Sequence, residues 1–329
     1  MSNRASAISR RAAMGSVLAA ALASCSAGRA PEAGAPGADG NLVKISVGAI
    51  PVAEVAPLYL GIQRGFFRKR GLDVAARQFQ GGAAVVTGVI SGQVDLGFSN
   101  VVSLLTARDR GVPLISVVGA GTSTGDALRD INAVLVGPAS DLQSARDLVG
   151  KRVAINSYNS IGDTTIKTAV RKRGGDDWKI QFVRVPHPQM PAQLAAGKVD
   201  AIWEAEPFRT MVLQSGGRIL FDNLTETYPR AQIAQFFTTL QIKRDRAQVV
   251  SAFVEGMKES QAYASAHLDE VRAIIKTYVK ITPATAALIE LPVWTPELDV
   301  QSALALGQAA HTYGTLAKAP DIAGLFGEG

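Results

Sequence analysis

The 329-residue chain contains one cysteine and three histidines. A single cysteine excludes a disulfide framework, a Cys-x-x-Cys redox pair and a cysteine-cluster zinc site. The histidines, His187, His267 and His311, lack the close spacing of a metal motif. No G-x-x-x-x-G-K-[ST] phosphate loop occurs, because neither Gly150-Lys151 nor Gly197-Lys198 is followed by a hydroxyl residue. Gly119-Ala120-Gly121-Thr122-Ser123-Thr124-Gly125 comes near a dinucleotide fingerprint. Its last spacing is one residue too long, and it falls far from the first strand–helix unit. These gaps weigh against catalysis, and no catalytic residue, cofactor or metal is expected.

What is present suits a globular protein. The apolar fraction is 47%, with 32 glycines and 15 prolines, which is enough to build a core. The length suits one large domain or two ordinary ones. The formal charge is +6, but part of it belongs to the N-terminus. Arg4, Arg10 and Arg11 precede an uncharged stretch, 12–23, of 12 residues. A membrane-spanning helix needs ~20, whereas a basic segment followed by a short apolar one is an export signal. Leu22-Ala23-Ser24-Cys25 resembles the end of a bacterial lipoprotein signal, in which the cysteine becomes an acylated N-terminus. Ser9-Arg10-Arg11 is similar to a twin-arginine signal, although Ala13 stands where a bulky apolar residue is usual. We expect a signal peptide over 1–24, lipidation at Cys25 and a flexible Gly/Ala/Pro-rich tether over 25–41. Cleavage before Cys25 removes three arginines and no acids, leaving 31 basic against 28 acidic residues, a net charge of +3.

The remaining sequence repeats itself. Lys44-Ile45-Ser46-Val47 is matched by a second strand-like run, Arg152-Val153-Ala154-Ile155, which follows Lys151, 107 residues after Lys44. Arg68-Lys69-Arg70-Gly71 recurs as Arg171-Lys172-Arg173-Gly174 after 103 residues, and Ser91-Gly92-Gln93-Val94-Asp95 as Ala196-Gly197-Lys198-Val199-Asp200 after 105. Three matches in one order at nearly one offset imply two lobes with the same element order. Lobe one reads as strand 42–50, helix 57–70, strand 72–79, helix 83–91 and strand 94–98; lobe two as strand 152–156, helix 164–173, strand 180–185, helix 190–196 and strand 200–203. Such alternation predicts largely parallel sheets covered on both faces. The tail from Arg246 is mostly helical. Its stripes Val250, Phe253, Val254, Met257 and Val271, Ile274, Ile275, Tyr278 are read as core. The runs at 68–70 and 171–173 are read as the basic last turns of helices, not as a nucleic-acid patch.

Pro57-Leu58-Tyr59, Gly65-Phe66-Phe67, Gly71-Leu72, Gly81-Gly82, Ser91-Gly92-Gln93-Val94-Asp95, Val293-Trp294-Thr295-Pro296 and Lys318-Ala319-Pro320-Asp321 resemble the nitrate/sulfonate/taurine and thiamine-precursor (pyrimidine) group of ABC-importer substrate-binding proteins. The resemblance covers nearly all of the chain from Leu42 onward. It implies an α/β type II periplasmic-binding-protein fold, with two α/β lobes joined by a two-crossing hinge. The lobes would be 42–132 with 238–329, and 133–237. It also implies a permease and its ATPase as partners, a membrane attachment through lipid on Cys25, and a place in the periplasm or on the outer face of the cell membrane. A monomer without nucleic acid is expected. Alternatives are a binding protein for an alkanesulfonate, taurine or nitrate, and a lipid-anchored sensory protein.

Ligands of open α/β sheets bind outside the carboxyl ends of the strands. The loops there offer Glu54, Gly81, Gly82, Ser99, Asn100 and Thr122 in lobe one. In lobe two they offer Ser157, Tyr158, Asn159, Ser160, His187, Trp203, Glu204 and Glu206. Gly81-Gly82 permits close backbone approach, and Ser99 or Asn100 can cap the next helix. Trp203 beside two glutamates can stack on a flat ligand and accept its N–H groups. Several carboxylates and few arginines in these loops favour a flat, nitrogen-bearing ligand over a strong anion.

Overall fold

The computed structural model describes residues 42–327. The expected signal peptide 1–24, Cys25 and the tether 25–41 lie outside them. Two five-stranded sheets form the frame. The first contains β1 (Val43–Ala49), β2 (Leu72–Gln78), β3 (Leu96–Asn100), β4 (Leu114–Gly119) and, returning late in the chain, β11 (Ala234–Thr239), in the order β2-β1-β3-β11-β4. Between the two sheets runs the short β5 (Gly121–Thr122). The second sheet contains β6 (Asn132–Val136), β7 (Arg152–Ile155), β8 (Gln181–Arg184), β9 (Ala201–Ala205) and β10 (Arg218–Phe221), in the order β10-β6-β9-β7-β8.

The alternation predicts largely parallel sheets, but only half of the strand pairs in each sheet are parallel. β1 pairs parallel with β2 and β3, and β7 with β8 and β9. The strand arriving from the other half enters antiparallel: β11 against β3 and β4, and β6 against β9 and β10. A chain that crosses between sheets without a covering helix has no reason to preserve direction. The expected boundary at 237/238 falls inside β11, which belongs wholly to the first sheet.

Helices α1 (Ala56–Gln63), α2 (Gly82–Ile90) and α3 (Val101–Asp109) follow strands of the first half; α4 (Ile161–Lys172), α5 (Met190–Ala195), α6 (Phe208–Gln214) and α7 (Asn223–Thr227) belong to the second. Leu58 and Leu60 on α1, Val85 and Val89 on α2, and Ile166 and Val170 on α4 are fully buried, each contributing about 1.5–3 kcal/mol by burial. Gly97 allows α2 its close seat: a Cβ there would meet Val85 Cγ1 at 2.5 Å. α1 stops at Gln63, not at residue 70, because Gly65 takes φ 75° and turns the chain. The basic run 68–70 is therefore a short 3₁₀ turn, and Lys69 and Arg70 both pair with Glu259. α4 does end in the second basic run; there Arg171 pairs with Asp177 and Arg173 with Glu226.

The repeat is physical. Gly71 and Gly174 have φ 77° and 69°, and Gly92 and Gly197 have φ 71° and 63°. Asp95 accepts the Ser46 amide of β1 at 2.7 Å, and Asp200 accepts the Arg152 amide of β7 at 2.8 Å. Both carboxylates thus tie a strand start to its neighbour at the N-terminal edge of a sheet.

The last third is helical as expected: α8 (Leu240–Asp245), α9 (Ala247–Ala266), α10 (Leu268–Tyr278), α11 (Pro283–Leu288), α12 (Val300–Thr312) and α13 (Ile322–Phe326). Val250, Phe253 and Met257 are core, as are Val271, Ile274 and Ile275. His267 is exposed between α9 and α10, stacked on Tyr263. β12 (Val293–Trp294) pairs with β5, so three segments, not two, meet between the sheets. Gln232 ties them: its side-chain amide donates to the Thr295 and Glu297 carbonyls at 3.2 and 2.8 Å, and its backbone amide to Ser302 Oγ at 2.9 Å. α12 then packs against both α3 and α4.

Candidate functional site

The carboxyl ends of the two sheets face each other and touch. The Ala53 amide donates to the Glu206 carbonyl at 2.8 Å. Asn100 Nδ2 and Ser103 Oγ donate to Ser160 Oγ at 3.1 and 3.2 Å, and Thr106 Oγ1 donates to the Asn159 carbonyl at 3.4 Å. Gly81 explains how close the halves come, since a Cβ there would lie 2.6 Å from Ser157 Oγ and 3.2 Å from the Asn156 carbonyl. Gly82 does the same within the first half, with Ser99 Oγ at 2.5 Å from its would-be Cβ.

Most of the expected residues lie on this seam, with different tasks. β3 runs through Ser99 and Asn100, so both sit on a strand end instead of a loop. Asn100 caps α3 by accepting the Ser103 amide at 2.9 Å. Ser99 does not cap; its Oγ is buried with no protein partner. Ser160 and Asp163 form a capping box at the start of α4. Tyr158 and Asn159 are exposed at the rim, where the Tyr158 hydroxyl accepts the Arg184 amide at 3.2 Å. Thr122 sits on β5, its hydroxyl paired with that of Thr295 at 2.7 Å. The near-fingerprint 119–125 is thus a crossing segment, and its glycines serve close packing: a Cβ at Gly121 would meet Glu54 Cγ at 2.5 Å. Gly121-Thr122-Ser123-Thr124-Gly125 also spells the order of a nucleophile elbow. However, Ser123 is buried and donates to Asp130, and the segment leads into strand β6 instead of a helix.

The acids separate sharply. β9 extends through Ala205, so Trp203 and Glu204 are strand residues. Glu204 is fully buried; one carboxylate oxygen contacts His187 Nδ1 at 2.8 Å, and Oε1 has no protein partner. Burial pushes its pKa up against the opposing effect of His187. Glu206 is equally buried, but both its oxygens are taken, by Arg209 Nη1 at 3.1 Å, Thr210 Oγ1 at 2.8 Å and the Thr210 amide at 3.2 Å. The expectation that Glu206 accepts from a ligand is therefore corrected: its acceptors are occupied within its own helix turn. Burial raises its pKa to about 7. Glu54, in a 3₁₀ turn of the first half, also rises to about 7 through burial, with His187 lowering and Glu206 and Asp130 raising it. Its Oε2 has no protein partner.

Trp203 differs from expectation as well. Gly162 at the start of α4 lies against its ring, with a would-be Cβ 2.7 Å from Cε3, and His187 tilts across it at 5.7 Å. A buried ring enclosed this way has little free face to stack on a ligand; what it leaves open is an unpartnered Nε1–H.

Five buried polar groups at the strand ends thus lack a partner among the described residues: Glu54 Oε2, Ser99 Oγ, Asn156 Oδ1, Trp203 Nε1 and Glu204 Oε1. Each such group costs roughly 1–3 kcal/mol if nothing satisfies it. Three are acceptors, of which the two carboxyl groups also donate when protonated, one is a donor only, and one can be either. That set complements a small molecule rich in N–H groups. Asn156 was missed from sequence although it adjoins the polar run 157–160 at the end of β7. Arg209 was missed although it stands three residues after Glu206, one helical turn away. Arg184, at the end of β8, was missed because it precedes the loop that drew attention. Among the described residues no group of histidines and acids forms a metal site, and no helix is long and apolar enough to cross a membrane.

Comparison with known proteins gives a consistent result. The family model described as "NMT1/THI5 like" matches residues 52–271. The chain is 26% identical over 160 residues to the formylaminopyrimidine-binding protein of Halalkalibacterium halodurans, a match covering 49% of this chain and 46% of that protein. It is 37% identical over 62 residues to the 4-amino-5-hydroxymethyl-2-methylpyrimidine phosphate synthase of Aspergillus parasiticus, covering 19% of this chain and 18% of that one. The chain spans less than half the length of these curated relatives. The alkanesulfonate-binding protein of Xanthomonas axonopodis pv. citri, solved with MOPS, superposes with a TM-score of 0.75 at 18% identity, covering 87% of this chain and 99% of that one. The fold is that of the periplasmic binding proteins, as the residues led us to expect.

Proposed function

The chain belongs to the NMT1/THI5-like family, and on that premise we propose that it is the extracytoplasmic substrate-binding component of an ABC importer. It traps a small, flat, nitrogen-bearing ligand between two lobes. The observation that carries this reading is the set of buried, unpartnered polar atoms on Glu54, Ser99, Asn156, Trp203 and Glu204. They come from both sheets and lie where α/β sheets bind ligands. We take the lobes to be 42–132 with 234–329, and 133–233, which moves all of β11 from the expected 133–237 into the first. The segments around Gln232 form the hinge between them. Trapping is non-covalent, by hinge closure.

Around this core stands the rest of the proposal: export by the signal at 1–24, lipid attachment at Cys25, action as a monomer beside a permease and its ATPase, and a place in the periplasm or on the outer membrane face. Mass spectrometry of the exported protein tests the anchor; a Cys25 without acyl mass removes it.

The ligand class is tested by thermal shift and calorimetric titration with 4-amino-5-hydroxymethyl-2-methylpyrimidine, its N-formyl analogue and taurine. Binding of the pyrimidines, weakened in Glu204→Gln, is the expected result. Tight binding of taurine alone overturns the nitrogen-ligand reading. Turnover of a bound pyrimidine overturns the non-covalent one. Unchanged ligand uptake after gene deletion favours a sensor on the same fold.

A further inference from the structure

A cavity of about 290 Å³ opens on the seam beside the buried groups. Its wall combines Gln80 and Gly81 of the first half with Asn156, Ser157, Tyr158 and Arg184 of the second. Arg184 supplies the only formal charge in the lining, and among the described residues it pairs with no carboxylate. Opposite it stands the start of α2. Gly81, the residue before that helix, has no side chain to cap it, and the amides of Gly82 and Ala83 make no hydrogen bond among the described residues. A helix start with free amides attracts negative charge. Ser157 reinforces it from the other half. It is 95% buried, its hydroxyl makes no hydrogen bond among the described residues, and its Oγ would lie 2.6 Å from a Cβ at Gly81. Asn156, also more than nine-tenths buried, has its Nδ2 donor 3.6 Å from a would-be Gly81 Cβ, while its unpartnered atom, Oδ1, is an acceptor that belongs with the donor-seeking groups of the inner end.

The two ends of the seam therefore have opposite character. The inner end holds Glu54 and Glu204; the outer cavity holds Arg184, a hydroxyl and free amides. We propose that the outer cavity receives an anionic substituent of the ligand, a phosphate or carboxylate, and that Arg184 selects it. This rests on the reading that the ligand lies in the seam, and it deepens that reading by making the ligand dipolar: donor-rich at one end and acidic at the other.

The test is titration of the purified chain with 4-amino-5-hydroxymethyl-2-methylpyrimidine and with its phosphate monoester. A charge-assisted contact supports about a tenfold tighter binding of the ester. That advantage shrinks at high salt. Arg184→Gln removes it while leaving the affinity for the alcohol unchanged, and Arg184→Lys retains part of it. Equal affinity for alcohol and ester, or a loss in Arg184→Gln that is the same for both, overturns the proposal. If neither pyrimidine binds but taurine does, the nitrogen-ligand reading fails alone, and the subsite is judged on taurine: weaker binding in Arg184→Gln supports it, and unchanged binding overturns it. A chain that binds none of the three overturns both.

Discussion

At their N-terminal edges the two sheets are near copies; at their C-terminal edges they are built of different material. On the first edge each half places a left-handed glycine before the strand and a carboxylate on a neighbouring strand's amide, Asp95 on Ser46 and Asp200 on Arg152. On the second edge the first half offers mainly backbone, through Gly81 and Gly82, whereas the second offers side chains, Asn156, Ser157, His187, Trp203 and Glu204. Shared residues fix the scaffold, and the residues that differ make the site. One half supplies a surface that can be approached closely, and the other supplies the groups that do the recognising.

That contrast can be broken most strongly at Gly81. Gly81→Val puts atoms where Ser157 Oγ and the Asn156 carbonyl already sit. With overpacking costs of roughly 1–3 kcal/mol, calorimetry should show ligand affinity falling by up to about a hundredfold, with an unfolding midpoint near that of the parent. A large fall in stability instead would place Gly81 with the scaffold. The converse change is at the other edge. Asp200→Ala and Asp95→Ala each remove charged hydrogen bonds and should lower urea-measured stability by about 1.5–3 kcal/mol without altering affinity. If affinity falls as well, the edges are not independent.

Acidity sharpens the contrast next. The Arg152 guanidinium and amide hold Asp200 below its usual pKa; burial pushes Asp95 up, but Ser46 and Arg246 together bring it below. These two add stability that is present above the unfolded pKa and lost as pH falls through the folded one. Glu54 behaves oppositely. Its pKa rises from 4.5 to about 7, so the folded chain holds a proton that the unfolded chain releases. Unliganded stability should therefore decline between pH 4.5 and 7 with a slope of up to about 1.4 kcal/mol per pH unit from this group. Glu54→Gln should flatten that limb and leave the acid limb intact; an unchanged slope would show Glu54 ionised in the fold. The smallest effect is expected at the rim. Tyr158→Ala, at a half-exposed position, should change stability by no more than about 0.5 kcal/mol and affinity little, unless the ligand reaches that far out.

The scaffold was the legible part of the sequence, because backbone demands leave local traces. Glycine at a left-handed turn and an aspartate a fixed distance later recur in order, and the alternation of apolar runs places β1, α2 and β7 within two residues. Strand direction left no such trace, since an antiparallel entry by β6 or β11 depends on where the chain has come from. The site was legible as a set of loops but not as a division of labour. Glu204 and Glu206 read alike in sequence. Only the turn of α6, which carries Arg209 and Thr210 back onto Glu206, makes one acid a fixed internal pair and leaves the other with an open oxygen. Trp203 read as an exposed stacking plane because nothing nearby in sequence announces that Gly162 will lie against it.

The contacts that Ser160 accepts from Asn100 and Ser103 also bear on time. They join the halves across the seam without involving the ligand. A molecule enclosed there could break every bond of its own and still not escape until the seam parted. Its residence would then be set by how often Ser160 lets go, and a variant such as Ser160→Ala should hasten release while leaving the chemistry of recognition untouched.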